Sequence, residues 1–300
     1  MKFGKLSKLD GVDFSVPELK VLQDSVRDTL EPKVYLGTTG WSNKEWSGTF
    51  YPKKAKANEY LQHYAQLFNT IELNTSHYHI PDAEKVMDWC SKVDDTFRFC
   101  PKVPQDISHK SNLASETSQS YSFYKSIANM GPHLGPCFMQ LPEYFDPSQA
   151  DKLLKFISRK PEHIRLTIEL RHPRWFENNN YHLHNLATQL SEYNIGLVIT
   201  DVAGRRDVLH SVLPTPTLML RLIGNSLDPS DFDRIDTWID RINKAKNQLD
   251  EVYLFFHQPS MQDVPEMVNY FIERSVNMGL SHHYDRLEPK YLENTQLRLF

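Results

Sequence analysis

Eight short apolar runs are spaced along this chain, each followed by helix-like sequence, and nearly all end in a polar or charged residue. They cover residues 34–40, 70–76, 97–102, 136–141, 165–172, 196–201, 217–224 and 252–258. A strand–helix alternation repeated eight times is what a closed (β/α)8 barrel of the TIM type requires, so the pattern predicts an α/β fold of that class. Such barrels carry their chemistry at the C-terminal ends of the strands, which also says where to look for function. The helical stretches expected after the strands are 57–68, 83–90, 149–158, 183–193, 232–248 and 264–277, with a further apolar helix around 121–130. The segment 107–135 is long and rich in Ser, Asn and Thr, as site loops or lids often are. Residues 1–33 precede the first strand and are polar, punctuated by Pro17 and Pro32. They read as an extension packing on a single barrel domain of residues 34–300, with a short helix near 17–29.

At 300 residues, 40% hydrophobic and 12% aromatic, the chain has ample material for one large packed core. The net charge is −4, with 34 basic against 38 acidic residues. That balance argues against long nucleic acid or an anionic membrane as the main partner, since both reward a basic surface. Cys90, Cys100 and Cys137 are few and unpaired in spacing, which suits reduced thiols in a cytoplasmic protein. No stretch has signal-peptide or membrane-span character.

Side chains alternate across a strand, so each run divides into a face toward the helices and a face toward the barrel interior. Leu166, Ile168 and Leu170 oppose Thr167, Glu169 and Arg171; Leu218, Leu220 and Leu222 oppose Met219 and Arg221; Val252, Leu254 and Phe256 oppose Tyr253, Phe255 and His257. By this parity the upper interior holds Glu72, Asn74, Lys102, Gln140, Glu169, Arg171, Arg221 and His257, with Asp201 at the end of the sixth strand. Burying so many polar groups is costly unless they pair or serve a ligand. One reading is an internal ion-pair network, for example Glu72–Lys102 and Glu169–Arg221, that only closes the barrel. The preferred reading is a site at the mouth.

Lys102, Arg171 and Arg221 converge there, and their chemistry suits a phosphate or carboxylate. Gly37-Thr38-Thr39-Gly40 would let backbone N–H groups approach such an anion, or would form only a turn. Glu72 and Glu169 face each other as a glycosidase pair would, or serve as ion-pair partners. His257 is a candidate proton carrier and so is His109, the latter chiefly through the resemblance given below. Of the aromatics Trp41, Trp46, Phe50, Tyr51, Tyr78 and Trp175, Trp41 is the best platform for a ring, while Phe50 and Tyr51 suit loop packing. His77/His79 and His182/His184 lack a third ligand, so no metal site is expected. Neither a nucleotide-binding glycine loop nor a nucleophile elbow is present, and no cofactor is expected.

Several segments resemble the DUF72 or YecE-like family, (β/α)8 barrels of unassigned activity. They are Leu36-Gly37-Thr38-Thr39-Gly40-Trp41, Trp46-Ser47-Gly48-Thr49-Phe50-Tyr51-Pro52 and Thr70-Ile71-Glu72-Leu73-Asn74 leading to Tyr78. Further matches are Phe97-Arg98-Phe99 with Pro101-Lys102, Ile107-Ser108-His109, Leu134-Gly135-Pro136 with Gln140-Leu141-Pro142, and Glu169-Leu170-Arg171-His172-Pro173 with Trp175. The resemblance spans roughly residues 34–275. It carries shared polar positions onto Glu72, Asn74, Lys102, His109, Gln140, Glu169, Arg171 and Arg221, close to the set obtained from parity. It departs at two points: Arg221-Leu222 continues with Ile223-Gly224 where the family usually shows a histidine, and His257-Gln258 stands where a pair of asparagines is usual.

The leading expectation is a metal-independent enzyme, a hydrolase or isomerase, acting on an anionic, phosphorylated or carboxylated small molecule. Lys102, Arg171 and Arg221 would hold the anion, with Asn74, Gln140, Trp41 and His109 also lining the site, and Glu72, Glu169 and His257 would manage protons. The alternatives are a glycosidase-like hydrolase using Glu72 and Glu169, and a non-catalytic barrel that binds a ligand or a nucleic-acid end. The sequence names neither substrate nor oligomeric state.

Overall fold

Eight parallel strands frame the computed structural model: β1 Lys33–Thr38, β2 Thr70–Leu73, β3 Arg98–Pro101, β4 Cys137–Gln140, β5 Leu166–Glu169, β6 Ile195–Asp201, β7 Thr217–Ile223 and β8 Glu251–His257. The structure describes residues 4, 6–25, 31–110, 113, 118–278, 280 and 285–291. Around the sheet the order is β3–β2–β1–β8–β7–β6–β5–β4. Bridges from Phe99 to Leu134 and from Lys102 to Phe138 join the two ends, which makes the sheet a (β/α)8 barrel. Each strand lies within its expected run or overlaps most of it.

Helices α1 Tyr60–Ala65, α2 Ala83–Cys90, α3 Ser118–Ile127, α4 Ala150–Ile157, α5 Glu177–Glu192, α6 Pro229–Ala245 and α7 Val264–Asn277 follow every strand but β6, which is followed instead by a 3-10 turn at Ala203–Val208 and the short strand Val212–Leu213. Two of them coincide with their expected bounds, α2 and α7, and α2 has a clear local cause. Asp82 accepts a hydrogen bond from the Lys85 N–H at 2.8 Å, satisfying a donor that a helix start leaves open. In α6, Asp228 caps in the same way, with Pro229 at the first helical position. No helix among the described residues is long and apolar enough to cross a membrane.

Alternation along the strands sorts the buried apolar residues into two separate clusters. Ile71, Phe99, Met139, Ile168, Leu220 and Leu254 join the helices in the outer one. Tyr35, Cys100, Phe138, Val198, Met219, Tyr253 and Phe255 form the inner one. This is the partition that parity predicts. At the N-terminal end of the interior, Tyr35 and Tyr253 stack at 4.5 Å, and Arg165 pairs with Glu251. The barrel is therefore plugged below and packed with aromatic rings across its middle, leaving the polar layer at the top.

Two expectations are corrected. No helix forms in the described part of 17–29, which excludes 26–30; residues 20–21 instead pair as a short strand with Val212–Leu213. Lys20 and Leu22 donate their N–H groups to the Ser211 and Leu213 carbonyls at 2.9 Å, while Arg241 binds the carbonyl of Val16. These tertiary partners take the backbone groups a helix would use internally. Asp201 also leaves the expected interior set. Val198 is an inner residue, so Thr200 points inward and Asp201 outward, where the side chain meets Arg234, Arg206 and Trp238 from the helix layer.

Candidate anion site at the barrel mouth

The centre of the mouth is Arg221, on β7, whose side chain is fully buried. Its Nε and Nη2 donate to the two oxygens of Glu72, at 2.8 and 3.0 Å, in a bidentate fork. Its Nη1 donates to Glu169 Oε2 at 3.1 Å. A single guanidinium thus lies between two carboxylates contributed by β2 and β5.

Each carboxylate has further donors. Asn74 Nδ2 reaches Glu72 at 2.9 Å, and His257 Nε2 lies 3.3 Å from its other oxygen. Glu169 accepts from Gln140 Nε2 at 2.7 Å, Arg171 Nε at 3.0 Å and Thr200 Oγ1 at 3.1 Å. Burial alone would raise both acids. The charge of Arg221 and these donors outweigh it, leaving Glu72 well below the usual carboxylate range and Glu169 at about 2. Both are carboxylates at neutral pH.

Lys102 stands apart. It is 6% exposed, and its ammonium donates to a neutral amide oxygen, Gln140 Oε1, at 3.1 Å. It forms no ion pair with a carboxylate among the described residues. The expected Glu72–Lys102 pair is absent because Arg221 occupies Glu72, whereas the expected Glu169–Arg221 pair is present. Phe138 lies beneath both cations, with Lys102 Nζ at 5.6 Å and the Arg221 guanidinium at 5.8 Å from its ring centre. Burial and the neighbouring Arg221 lower Lys102 to about 8, against partial support from Glu72 and Glu169. Three cations, Lys102, Arg171 and Arg221, thus face two carboxylates.

His257 is also depressed, first by burial, and its imidazole rests against the Glu72 carboxylate. His109 lies on the turn Asp106–Lys110 that follows β3. Its Nδ1 is 2.8 Å from Ser108 Oγ, its carbonyl accepts from Tyr144 Oη at 3.0 Å, and its ring approaches that of His77. Burial and the charges of Lys102 and Arg171 lower it, which sets it at the rim of the same field.

The structure therefore brings Glu72, Asn74, Lys102, Gln140, Glu169, Arg171, Arg221 and His257 into one network, with His109 beside it. Trp41 is placed elsewhere. Its ring packs edge-on against Trp89 at 5.5 Å and Phe99 at 6.5 Å, both in the outer core, and it lines a groove of about 490 Å³ with Leu61, Thr75 and His79. Trp46, Tyr51 and Trp175 are buried packing residues; the two indoles donate to the carbonyls of Met261 and Phe145. Gly37 has a packing role instead of an anion-cradling one, since a Cβ there would come within 2.3 Å of the Thr70 carbonyl on the neighbouring strand. Thr200 was not anticipated; dividing the sixth strand into faces, with Val198 and Thr200 inward, would have found it. Among the described residues no group of three or more His, Cys, Asp or Glu converges as metal ligands do.

Against known families, residues 35–288 match the model described as "Protein of unknown function DUF72". The chain belongs to the DUF72 family. The chain is 28% identical over 254 residues to the UPF0759 protein YecE of Escherichia coli K12, covering 79% of this chain and 90% of that protein. It is 26% identical over 287 residues to the UPF0759 protein YunF of Bacillus subtilis 168, covering 87% and 99%. A crystal structure of a DUF72 family protein from Enterococcus faecalis V583 superposes with a TM-score of 0.67 at 22% identity, over 86% of this chain and 98% of that one. That likeness carries the barrel fold.

Proposed function

We propose that the mouth is the site of an enzyme, of hydrolase or isomerase type, that binds a small phosphorylated or carboxylated molecule. The observation that carries this reading is the surplus cation: among the described residues Lys102 is buried without a carboxylate partner, beside two guanidiniums that pair with Glu72 and Glu169. An ion-pair network serving only to close the barrel would balance its charges, because a desolvated ammonium without a counter-ion costs several kcal/mol. An anion supplies the missing charge.

Proton transfer falls to the imidazoles. Glu72 contacts His257 as a carboxylate orients a general base, and burial favours the neutral ring that can accept a proton. The two glutamates suit the glycosidase alternative poorly. That chemistry needs one carboxyl kept protonated near neutral pH, whereas Arg221 holds both ionised.

A thermal-shift screen tests the proposal, comparing phosphate, phosphosugars, sugar acids, neutral sugars and short oligonucleotides on the wild type and on Arg171→Ala. A ligand at 100 times its Kd adds about 2.7 kcal/mol of stability, which is several degrees for a chain of this size. Anions should raise the wild-type Tm and shift the variant by about half as much or less. Stabilisation by neutral sugars alone would favour the glycosidase alternative, and no shift at all would leave only the barrel-closing network.

A further inference from the structure

Lys102 combines three features that an anion clamp alone does not need. It sits inside the barrel at the C-terminal end of β3, where its backbone N–H is held by the Leu73 carbonyl at 3.2 Å and its residue bridges to Phe138. Its ammonium lies 5.6 Å from the Phe138 ring centre and donates to a neutral acceptor, Gln140. Its charged neighbours Arg171 and Arg221 are both committed to carboxylates, so neither can accept its proton and both repel its charge. A permanently charged arginine would clamp an anion better, with more donors. A lysine so placed offers what arginine cannot, a lone pair.

We propose that Lys102 is a nucleophilic amine that forms a Schiff base with a carbonyl compound bearing a carboxylate or phosphate, the anionic group being held by Arg171. This rests on the anion reading of the mouth and narrows its substrate class to aldehydes and ketones. The Lys102 nitrogen lone pair adds to the carbonyl carbon, forming a C–N bond while the C=O π pair moves onto oxygen. The two protons of the neutral amine end on that oxygen, which departs as water when the C=N bond forms. No oxidant or second substrate is required. The depressed basicity of Lys102 favours the step: with its pKa at about 8 rather than 10.5, the neutral share at pH 7.5 is roughly 200-fold that of an exposed lysine.

The test uses the full chain with glyoxylate, the smallest carboxylate-bearing aldehyde, and sodium cyanoborohydride at pH 7.5, followed by peptide mapping. In parallel the wild-type Tm is read with and without inorganic phosphate. The expected result is a carboxymethyl adduct at Lys102 at least about 10-fold ahead of the exposed Lys110, suppressed by phosphate and absent from Lys102→Arg. Phosphate stabilisation with labelling only of surface lysines overturns the Schiff base and leaves the anion site standing. Neither stabilisation nor labelling at Lys102 overturns both. Because the map is read on the wild type, the outcome stands even where Lys102→Arg folds poorly.

Discussion

Two buried arginine networks lie back to back across the barrel wall, and they differ in one respect. Outside the strands, Arg234 joins Asp201 at 2.8 Å and Asp231 at 2.6 Å, with Arg206 as a second cation on Asp201. Trp238 Nε1, Gln258 Nε2 and the Asn225 N–H donate to the remaining carboxylate oxygens. Two arginines thus meet two aspartates, each oxygen has donors, and the N-terminal segment covers the cluster through Phe14 over both guanidiniums. Inside, Arg221 likewise joins Glu72 and Glu169, but Arg171 and Lys102 bring the cations to three. The outer network is balanced and tethers β6, α6 and the N-terminal segment. Among the described residues the inner one carries one more cation than carboxylates, the imbalance on which the proposed anion site rests.

Breaking the outer network should have the largest effect. Arg234→Leu leaves Asp201 and Asp231 short of their shared partner in a dry environment, and should cost about 3–5 kcal/mol in urea unfolding. Its response to phosphate should be unchanged, since nothing at the mouth moves. Equal loss of phosphate binding would erase the distinction between the two networks.

Lys102→Met should act in the opposite direction. The amine has a lower pKa folded than unfolded, so it opposes folding fully below pH 8, and the penalty fades as pH rises toward 10.5. The variant should be more stable than the wild type at pH 7 by up to about 3 kcal/mol, with the advantage disappearing at high pH. Parallel unfolding curves at pH 7 and pH 10 read this directly.

Arg171→Ala should sharpen the contrast. Arg171 gives one bond to Glu169, which keeps Arg221, Gln140 and Thr200, so the main loss should be in binding: about 10-fold or more in phosphate Kd, or roughly 1.4 kcal/mol, by calorimetry. The same titration on the wild type should weaken as pH rises through 8, where Lys102 loses its charge. The smallest effect is expected from Thr200→Val, which removes one of four donors to Glu169 and should cost about 1 kcal/mol in unfolding, with phosphate affinity little changed.

Where parity could be applied, the residues themselves told which polar side chains face the interior. Glu169 alternates with Ile168 and Leu170, and Arg221 with Leu220 and Leu222, so a period of two assigns them inward without further knowledge. Asp201 and Thr200 were misjudged or missed because the sixth strand is apolar on both faces until its end, and position at a strand tip does not give direction. Who pairs with whom was also hidden. Glu72 has Lys102 at the end of the neighbouring strand, yet the planar fork of Arg221 reaches across the barrel and takes it. Trp41 follows β1 as a mouth residue would, but Trp89 and Phe99 offer an aromatic pocket outside the ring of strands, and packing prevails. A short helix is expected near 17–29, and the pairing of Lys20 and Val21 with Val212 and Leu213, far away in the chain, holds the segment extended instead.

The most direct test of the central claim is urea unfolding of the wild type and Lys102→Met at pH 7, each with and without saturating phosphate. A mouth held short of an anion predicts that the variant is the more stable protein without phosphate, and that phosphate stabilises the wild type alone. A variant less stable than the wild type, with phosphate shifting both equally or neither, would contradict it and make Lys102 one more tie in the barrel wall.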